Sequence, residues 1–233
     1  MKKLVTDSLR RLGLHLQRHH DAYDDARRLM RVNPRNVVDG GAHKGTVTSK
    51  LLSVFPTATV HAFEPQAEQF GVLSQQFGAN PRVRLNNVAL GREEGVAHLN
   101  INKDCYSSLL KTLHPDGMES TGKTQEVRLT SLDAWSAQNQ ITPEFIKLDL
   151  QGFELPCLQG ATTILNGGVK AIITEINFRP RYEGSCLLHE VSALLYDQGF
   201  QFYRAYEIWG GDHGEWLQGD ALFVRKELLA PRQ

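Results

Sequence analysis

The sequence has almost no cysteine, no excess charge of either sign and no long apolar run. Cys105, Cys157 and Cys186 are the three cysteines in 233 residues, without paired or ligand-like spacing. An odd, scattered set excludes a disulfide framework and a zinc cluster; a reducing, cytoplasmic location is expected. Cys157 lies in an apolar stretch and reads as a small core residue rather than a nucleophile. Lys plus Arg and Asp plus Glu each number 26, so the chain lacks the basic field of a typical nucleic-acid binder. No nucleic-acid partner is expected. No apolar run reaches signal-peptide or membrane-span length, so no membrane span is expected.

What is present suits a globular domain: 41% hydrophobic residues and 22% charged ones, with no repeat period. Residues 1–33 read as an N-terminal helical extension and 34–233 as the main domain. Leu4, Leu9, Leu12 and Leu16 fall near helical spacing, which suits packing on that domain or contact with a surface. His19, His20 and the acids after them sit on a charged helix, read as a solvated face rather than a metal site.

From residue 36 onward, strands and helices alternate. Strands are expected at 36–39, 59–63, 83–90, 95–102, 124–129, 145–150 and 171–176. Helices are expected at 46–55, 66–77, 154–165 and 187–198, with a short one starting at Ser131. Residues 103–123 read as a loop, and 201–206 with 220–225 as an antiparallel hairpin at a sheet edge. The loop 209–219 should lie at the sheet rim. This pattern implies an α/β, Rossmann-like fold with a largely parallel sheet flanked by helices.

The most informative stretch runs from Asp39 through Gly40, Gly41, Ala42 and His43 to Gly45. Glycines after a strand let the backbone approach a ligand at a helix N-terminus. A dinucleotide site would place a pyrophosphate there, and Asp39 would repel it. The carboxylate suits instead a cofactor with an ammonium and a sulfonium, S-adenosylmethionine. Glu64, 25 residues later and followed by Pro65, ends the next strand and can accept from ribose hydroxyls. Asn87 and Ala89 then fall where an adenine would rest.

A second constellation follows a buried strand: Lys147 and Asp149 on one face, with Glu154 opening a helix. The residues resemble the FkbM family of methyltransferases. The matching blocks are Val38 to Gly45, Phe63-Glu64-Pro65, Asn87 to Gly91, Leu132-Asp133, Ile146 to Glu154, Leu158-Gly160-Ala161 and Thr174-Glu175-Ile176. The resemblance implies a seven-stranded class I methyltransferase sheet and O-methylation of a hydroxyl on a small molecule or sugar. It departs from the family at His43, where Asn is usual, and at Gln151, where Glu is usual.

Methyl transfer to an alcohol needs alignment and a general base. Asp149 is the first candidate base and Glu175 the second; both are candidate substrate ligands, and Asp149 is also counted with the cofactor set. Ser107, Ser108, Lys147, Glu154 and Asn177 are expected to hold the acceptor. Tyr182, Tyr206, Trp209 and Trp216 are candidates to stack on a sugar. No metal ligand is assigned, and homo-oligomerisation is left open. Two other readings stand beside this one: an inactive S-adenosylmethionine-binding module, and a nicotinamide-dependent dehydrogenase.

Overall fold

The computed structural model describes residues 20–103, 105–113 and 120–230. The leucine-spaced leader lies outside the described residues. The elements in chain order are α1 (Ala22–Met30), β1 (Asn36–Gly40), α2 (Thr46–Val54), β2 (Thr59–Phe63), α3 (Ala67–Phe77), β3 (Val83–Asn86), β4 (Ala89–Leu90) and β5 (Gly95–Asn102). They continue with β6 (Ser120–Thr130), α4 (Leu132–Asn139), β7 (Phe145–Leu148), α5 (Glu154–Gln159), α6 (Thr162–Asn166), β8 (Ala171–Asn177), α7 (Leu188–Asp197), β9 (Phe200–Gly210) and β10 (Trp216–Arg225).

Seven strands form the main sheet in the order β3-β2-β1-β7-β8-β10-β9. Neighbours from β3 to β8 run parallel, and β10 lies antiparallel to both β8 and β9. The expected edge hairpin is there, with both strands reaching further towards its tip than the pattern predicts. The class I methyltransferase-like sheet is confirmed. Because a strand alternates its side chains, β1 sends Val38 to one face and Val37 to the other. The Val38 face is covered by α4 to α7 through Leu132, Trp135, Leu158, Leu165, Val191 and Leu195. The Val37 face is covered by α1 and α2 through Ala26, Met30, Leu51 and Val54. Burial on both faces explains why the central strands read as unbroken apolar runs rather than alternating ones.

Helix ends follow their capping chemistry. Asp21 accepts from the backbone N–H groups of Tyr23 and Asp24 at the start of α1, and Ser131 accepts from Ala134 at the start of α4. Among the described residues, no helix is long and apolar enough to cross a membrane.

Three elements differ from the pattern reading. The strand expected at 83–90 divides into β3 and β4, which belong to different sheets. Asn87 causes the break: its side-chain amide donates to the carbonyls of Glu64 at 2.8 Å and Pro65 at 3.2 Å, turning the chain out of the main sheet. The loop expected at 103–123 is shorter, because β6 begins at Ser120 and joins β4 and β5 in a small second sheet. The helix expected at 154–165 is two helices. Gly160, between them, packs so closely that a Cβ there would lie 2.4 Å from the carbonyl oxygen of Gly91 and 2.6 Å from that of Arg92.

That contact is backbone against backbone, so neither side can yield by changing rotamer. Gly160→Ala is expected to destabilise the fold by about 2 kcal/mol or more. Gly71→Ala, exposed in mid-α3 with nothing within 4 Å of a new Cβ, should stabilise it by roughly 0.5–1 kcal/mol. Denaturant midpoints of the two variants should move in opposite directions.

Candidate functional site

At the carboxyl ends of β1, β2 and β7 lies a cavity of about 200 Å³. Its wall comprises the β1–α2 loop (Gly41, Ala42, His43), the first turn of α2 (Thr46, Val47), the end of β2 (Phe63, Glu64, Pro65) and the β7–α5 loop (Asp149, Leu150, Gln151). Ala89, Leu90 and Leu99 close it from the small sheet, and Cys105, Ser107 and Ser108 from the segment after β5.

The β1–α2 loop owes its shape to hydrogen bonds with the next strand. Gly41 and Ala42 both donate to the carbonyl of Phe63, at 3.0 and 2.9 Å. His43, at φ 49°, donates its backbone N–H to Glu64 Oε2 at 2.8 Å. Gly41 has φ 79°, and a Cβ on it would lie 2.0 Å from the carbonyl oxygen of Asp149. Only glycine fits there, both for the torsion and for the contact. The loop therefore seats directly on the backbone that presents Asp149, whose N–H in turn donates to the Gly40 carbonyl at 3.0 Å.

Glu64 is almost wholly buried, and its second oxygen accepts from the backbone N–H of Gln66 at 2.8 Å. Burial pushes its carboxyl up to about 7, against the opposing pull of those two N–H donors. Asp149 is the more exposed acid, with 39% of its side chain accessible. Its Oδ2 lies 3.4 Å from Lys147 Nζ, and its Oδ1 accepts from Gln151 Nε2 at 2.7 Å. Desolvation is outweighed by the Lys147 ammonium and by hydrogen bonds with Glu175 and Gln151, which hold the Asp149 carboxyl below its usual range. Glu175 behaves oppositely: burial and the neighbouring Asp149 and Glu154 raise it well above the ordinary carboxyl value. The surroundings thus drive the two carboxyls apart, Asp149 downward and Glu175 upward.

Of the residues expected from the sequence to bind a cofactor, Gly41, Ala42, His43, Glu64, Pro65, Ala89 and Asp149 line the cavity. Asp39, Gly40, Gly45 and Asn87 do not. Strand alternation places Asp39 with Val37, on the face under α1 and α2, where its carboxylate accepts from Thr48 Oγ1 at 2.6 Å. Burial pushes it up to about 6. Asn87 holds the turn already described.

Among the expected acceptor residues, Ser107 and Ser108 reach the cavity. Lys147, Glu154 and Asn177 are buried behind it. Lys147 is too deeply buried to hold an acceptor, and Asp220 Oδ1 stands 3.8 Å from its Nζ. Glu154 accepts from the backbone N–H groups of Leu150 at 2.7 Å and Gly152 at 3.4 Å, so it braces the loop that carries Asp149. Asn177 donates to Glu175 Oε1 at 3.2 Å. Two of the candidate stacking aromatics are ruled out as exposed platforms. Tyr182 is fully buried, and Tyr206 donates its hydroxyl to Asp25 at 2.9 Å. Trp209 and Trp216 are exposed at the hairpin end.

Sequence reasoning singled out neither Thr46, Phe63, Leu99 nor Phe153 as cavity-lining. The first two were detectable as immediate neighbours of Gly45 and Glu64. Leu99 was not, because nothing local ties β5 to the end of β1.

A family model described as the methyltransferase FkbM domain matches residues 39–202. No curated protein sequence matches the chain. Among solved structures, a methyltransferase FkbM from Methylobacillus flagellatus is similar at 17% identity, with a TM-score of 0.53. That alignment covers 82% of this chain and 44% of the other, so the present chain spans less than half of that relative's length. A TehB-like S-adenosylmethionine-dependent methyltransferase from Corynebacterium glutamicum aligns at 12% identity over 97% of this chain and 96% of its own, with a TM-score of 0.46. At 17% identity the likeness to the Methylobacillus flagellatus protein is one of fold.

The acids raised by burial have a consequence for stability. Glu64 and Glu154 rise from 4.5 to about 7, and Asp39 from 3.8 to about 6. Over those windows the folded chain binds protons that the unfolded chain has released. Their contribution is therefore complete below about pH 4 and declines as pH rises to 7. His61, lowered by burial to about 4, works the other way between 4 and 6.5 and offsets part of this. The unfolding midpoint in denaturant is expected to be lower at pH 7 than at pH 5. Glu64→Gln should flatten that fall, and a variant whose pH dependence matches the parent's would contradict the assignment.

Proposed function

The chain belongs to the FkbM methyltransferase family, and we propose that its cavity binds S-adenosylmethionine and serves methyl transfer to a hydroxyl of a small molecule or sugar. The observation that carries this reading is the shared wall: Glu64 and Asp149 line one cavity with the Gly41-Ala42-His43 loop.

The lining suits that cofactor. Each Glu64 oxygen receives one backbone N–H and keeps accepting capacity for a ribose hydroxyl. Phe63, Val88, Leu90 and Leu99 give apolar surface for a base, beside Ala89. Asp149 supplies negative charge that a sulfonium and ammonium would complement. Asp39 and Gly45 support from behind: Asp39 holds Thr48 of α2, and Gly45 leads into that helix. Gly40, Pro65 and Asn87 complete the frame on which the cofactor rests.

Bound S-adenosylmethionine supplies a methyl group already activated by its sulfonium. The protein's own work is to align and to manage one proton. Asp149, open to the cavity, would take the proton that a bound acceptor hydroxyl gives up on methylation. Lys147 keeps that carboxylate charged from below. Glu175, buried behind it and raised by that burial, acts as a hydrogen-bonding neighbour rather than a second base. Ser107 and Ser108 stand where the acceptor enters.

Isothermal calorimetry with S-adenosylmethionine tests the reading. The parent chain should bind, and Glu64→Ala should weaken binding by roughly 10- to 100-fold, the loss expected for charge-assisted hydrogen bonds to a diol. Absence of binding by the parent, or unchanged affinity in Glu64→Ala, would overturn it.

A further inference from the structure

We infer that Gln151 is a positioning residue of this site: its side-chain amide, oriented by Tyr182, holds the Asp149 carboxylate towards the cavity while it also donates to Glu175. For its chemical purpose this rests on the methyl-transfer reading; its geometry stands without it.

Gln151 occupies a conformation that a non-glycine residue rarely takes, φ 54°, and is buried between the cavity and the core. Backbone strain of this kind persists where surrounding contacts over-determine it. Those contacts are several and specific. One Nε2 hydrogen goes to Asp149 Oδ1 at 2.7 Å, the other to Glu175 Oε2 at 3.0 Å. Oε1 accepts from the Tyr182 hydroxyl at 2.7 Å, and the backbone carbonyl accepts from Ser108 Oγ, also at 2.7 Å.

The amide cannot be turned over without penalty. In the reverse orientation Oε1 would face the Asp149 carboxylate, acceptor against acceptor, and Nε2 would lose its anionic partner. A single side chain therefore reads the charge state of Asp149 on one side and is anchored by a buried tyrosine on the other. Tyr182 and Ser108 come from separate segments, so the clamp also ties the cavity mouth to its floor.

A glutamate at this position would put a third carboxyl within hydrogen-bonding distance of two others, and one of the three would have to keep an extra proton. Gln151 avoids that: it donates twice and adds no charge. The groups that act on Asp149 are then Lys147 from β7, Glu175 from β8, Asp220 from β10, Asp39 from β1, Glu154 from α5, Tyr23 from α1 and Tyr182. Lys147 is the one cation among them.

The test is a carboxyl ¹³C NMR titration of the full chain, with the Asp149 signal assigned by its loss in Asp149→Asn. In the parent, Asp149 should titrate below the ordinary aspartate range. Gln151→Glu should raise its midpoint by about one pH unit or more. Gln151→Met and Tyr182→Phe should raise it by less, in the same direction. A role confined to packing would lower the melting temperature of these variants and leave the midpoint in place, and that result overturns the inference. Should the Gln151 variants fail to fold, Tyr182→Phe, which loses only a hydroxyl, decides alone. Calorimetry with S-adenosylmethionine on the parent is a separate arm: failure there overturns the methyl-transfer reading while the titration still judges the clamp.

Discussion

Gly41 lies against the backbone of Asp149, and the architecture of the site follows from that approach. A side chain at Gly41 would collide with the Asp149 carbonyl at 2.0 Å. Two segments separated by more than a hundred residues are thereby joined at adjacent strand ends, where an open parallel sheet presents its crevice. The Phe63 carbonyl secures the loop on one flank and Glu64 on the other. With the loop seated, Asp149 has its backbone bound to Gly40 and its carboxylate free to face the cavity.

Charge in this region is distributed unevenly. Glu64, Glu154, Glu175 and Asp39 are all buried, and burial raises every one of them. Among the acids near Lys147, the partly exposed Asp149 is lowered, whereas Asp39 and Asp220 are raised. Desolvation would ordinarily neutralise such a group as well. What reverses the outcome is a cation at 3.4 Å and an amide donor at 2.7 Å. The lowered carboxyl of Asp149 and the raised carboxyl of Glu64 both face the cavity, while Glu154, Glu175 and Asp39 lie buried behind it. Function and stability thus draw on chemically identical groups whose surroundings drive them apart.

Much of this was legible in the sequence. The positions of β1, α2 and β2 follow from apolar runs punctuated by Gly41, Gly45 and Pro65, and local physics is enough to place them. Asp149 could be assigned to a strand exit for the same reason. The parts that escaped are those governed by long-range contacts. Asn87 breaks an apparently continuous strand because the carbonyls of Glu64 and Pro65 are there to receive its amide. Gly160 divides a helix because Gly91 approaches it from another segment. Asp39 was expected among the cofactor contacts but does not line the cavity, because the face it occupies depends on register, and one step along a strand reverses inside and outside.

Tyr182 shows how far such long-range terms reach into chemistry. As an aromatic near a strand end it reads as a platform for a sugar, yet its ring is buried and its hydroxyl is committed to Gln151. Ser108, which lines the cavity, donates to the backbone of the same Gln151. Movement of the segment carrying Ser108 would be felt by the amide that holds Asp149, because they share one residue with few alternative hydrogen bonds. Ser108 and the Asp149 carboxylate are consequently linked through Gln151.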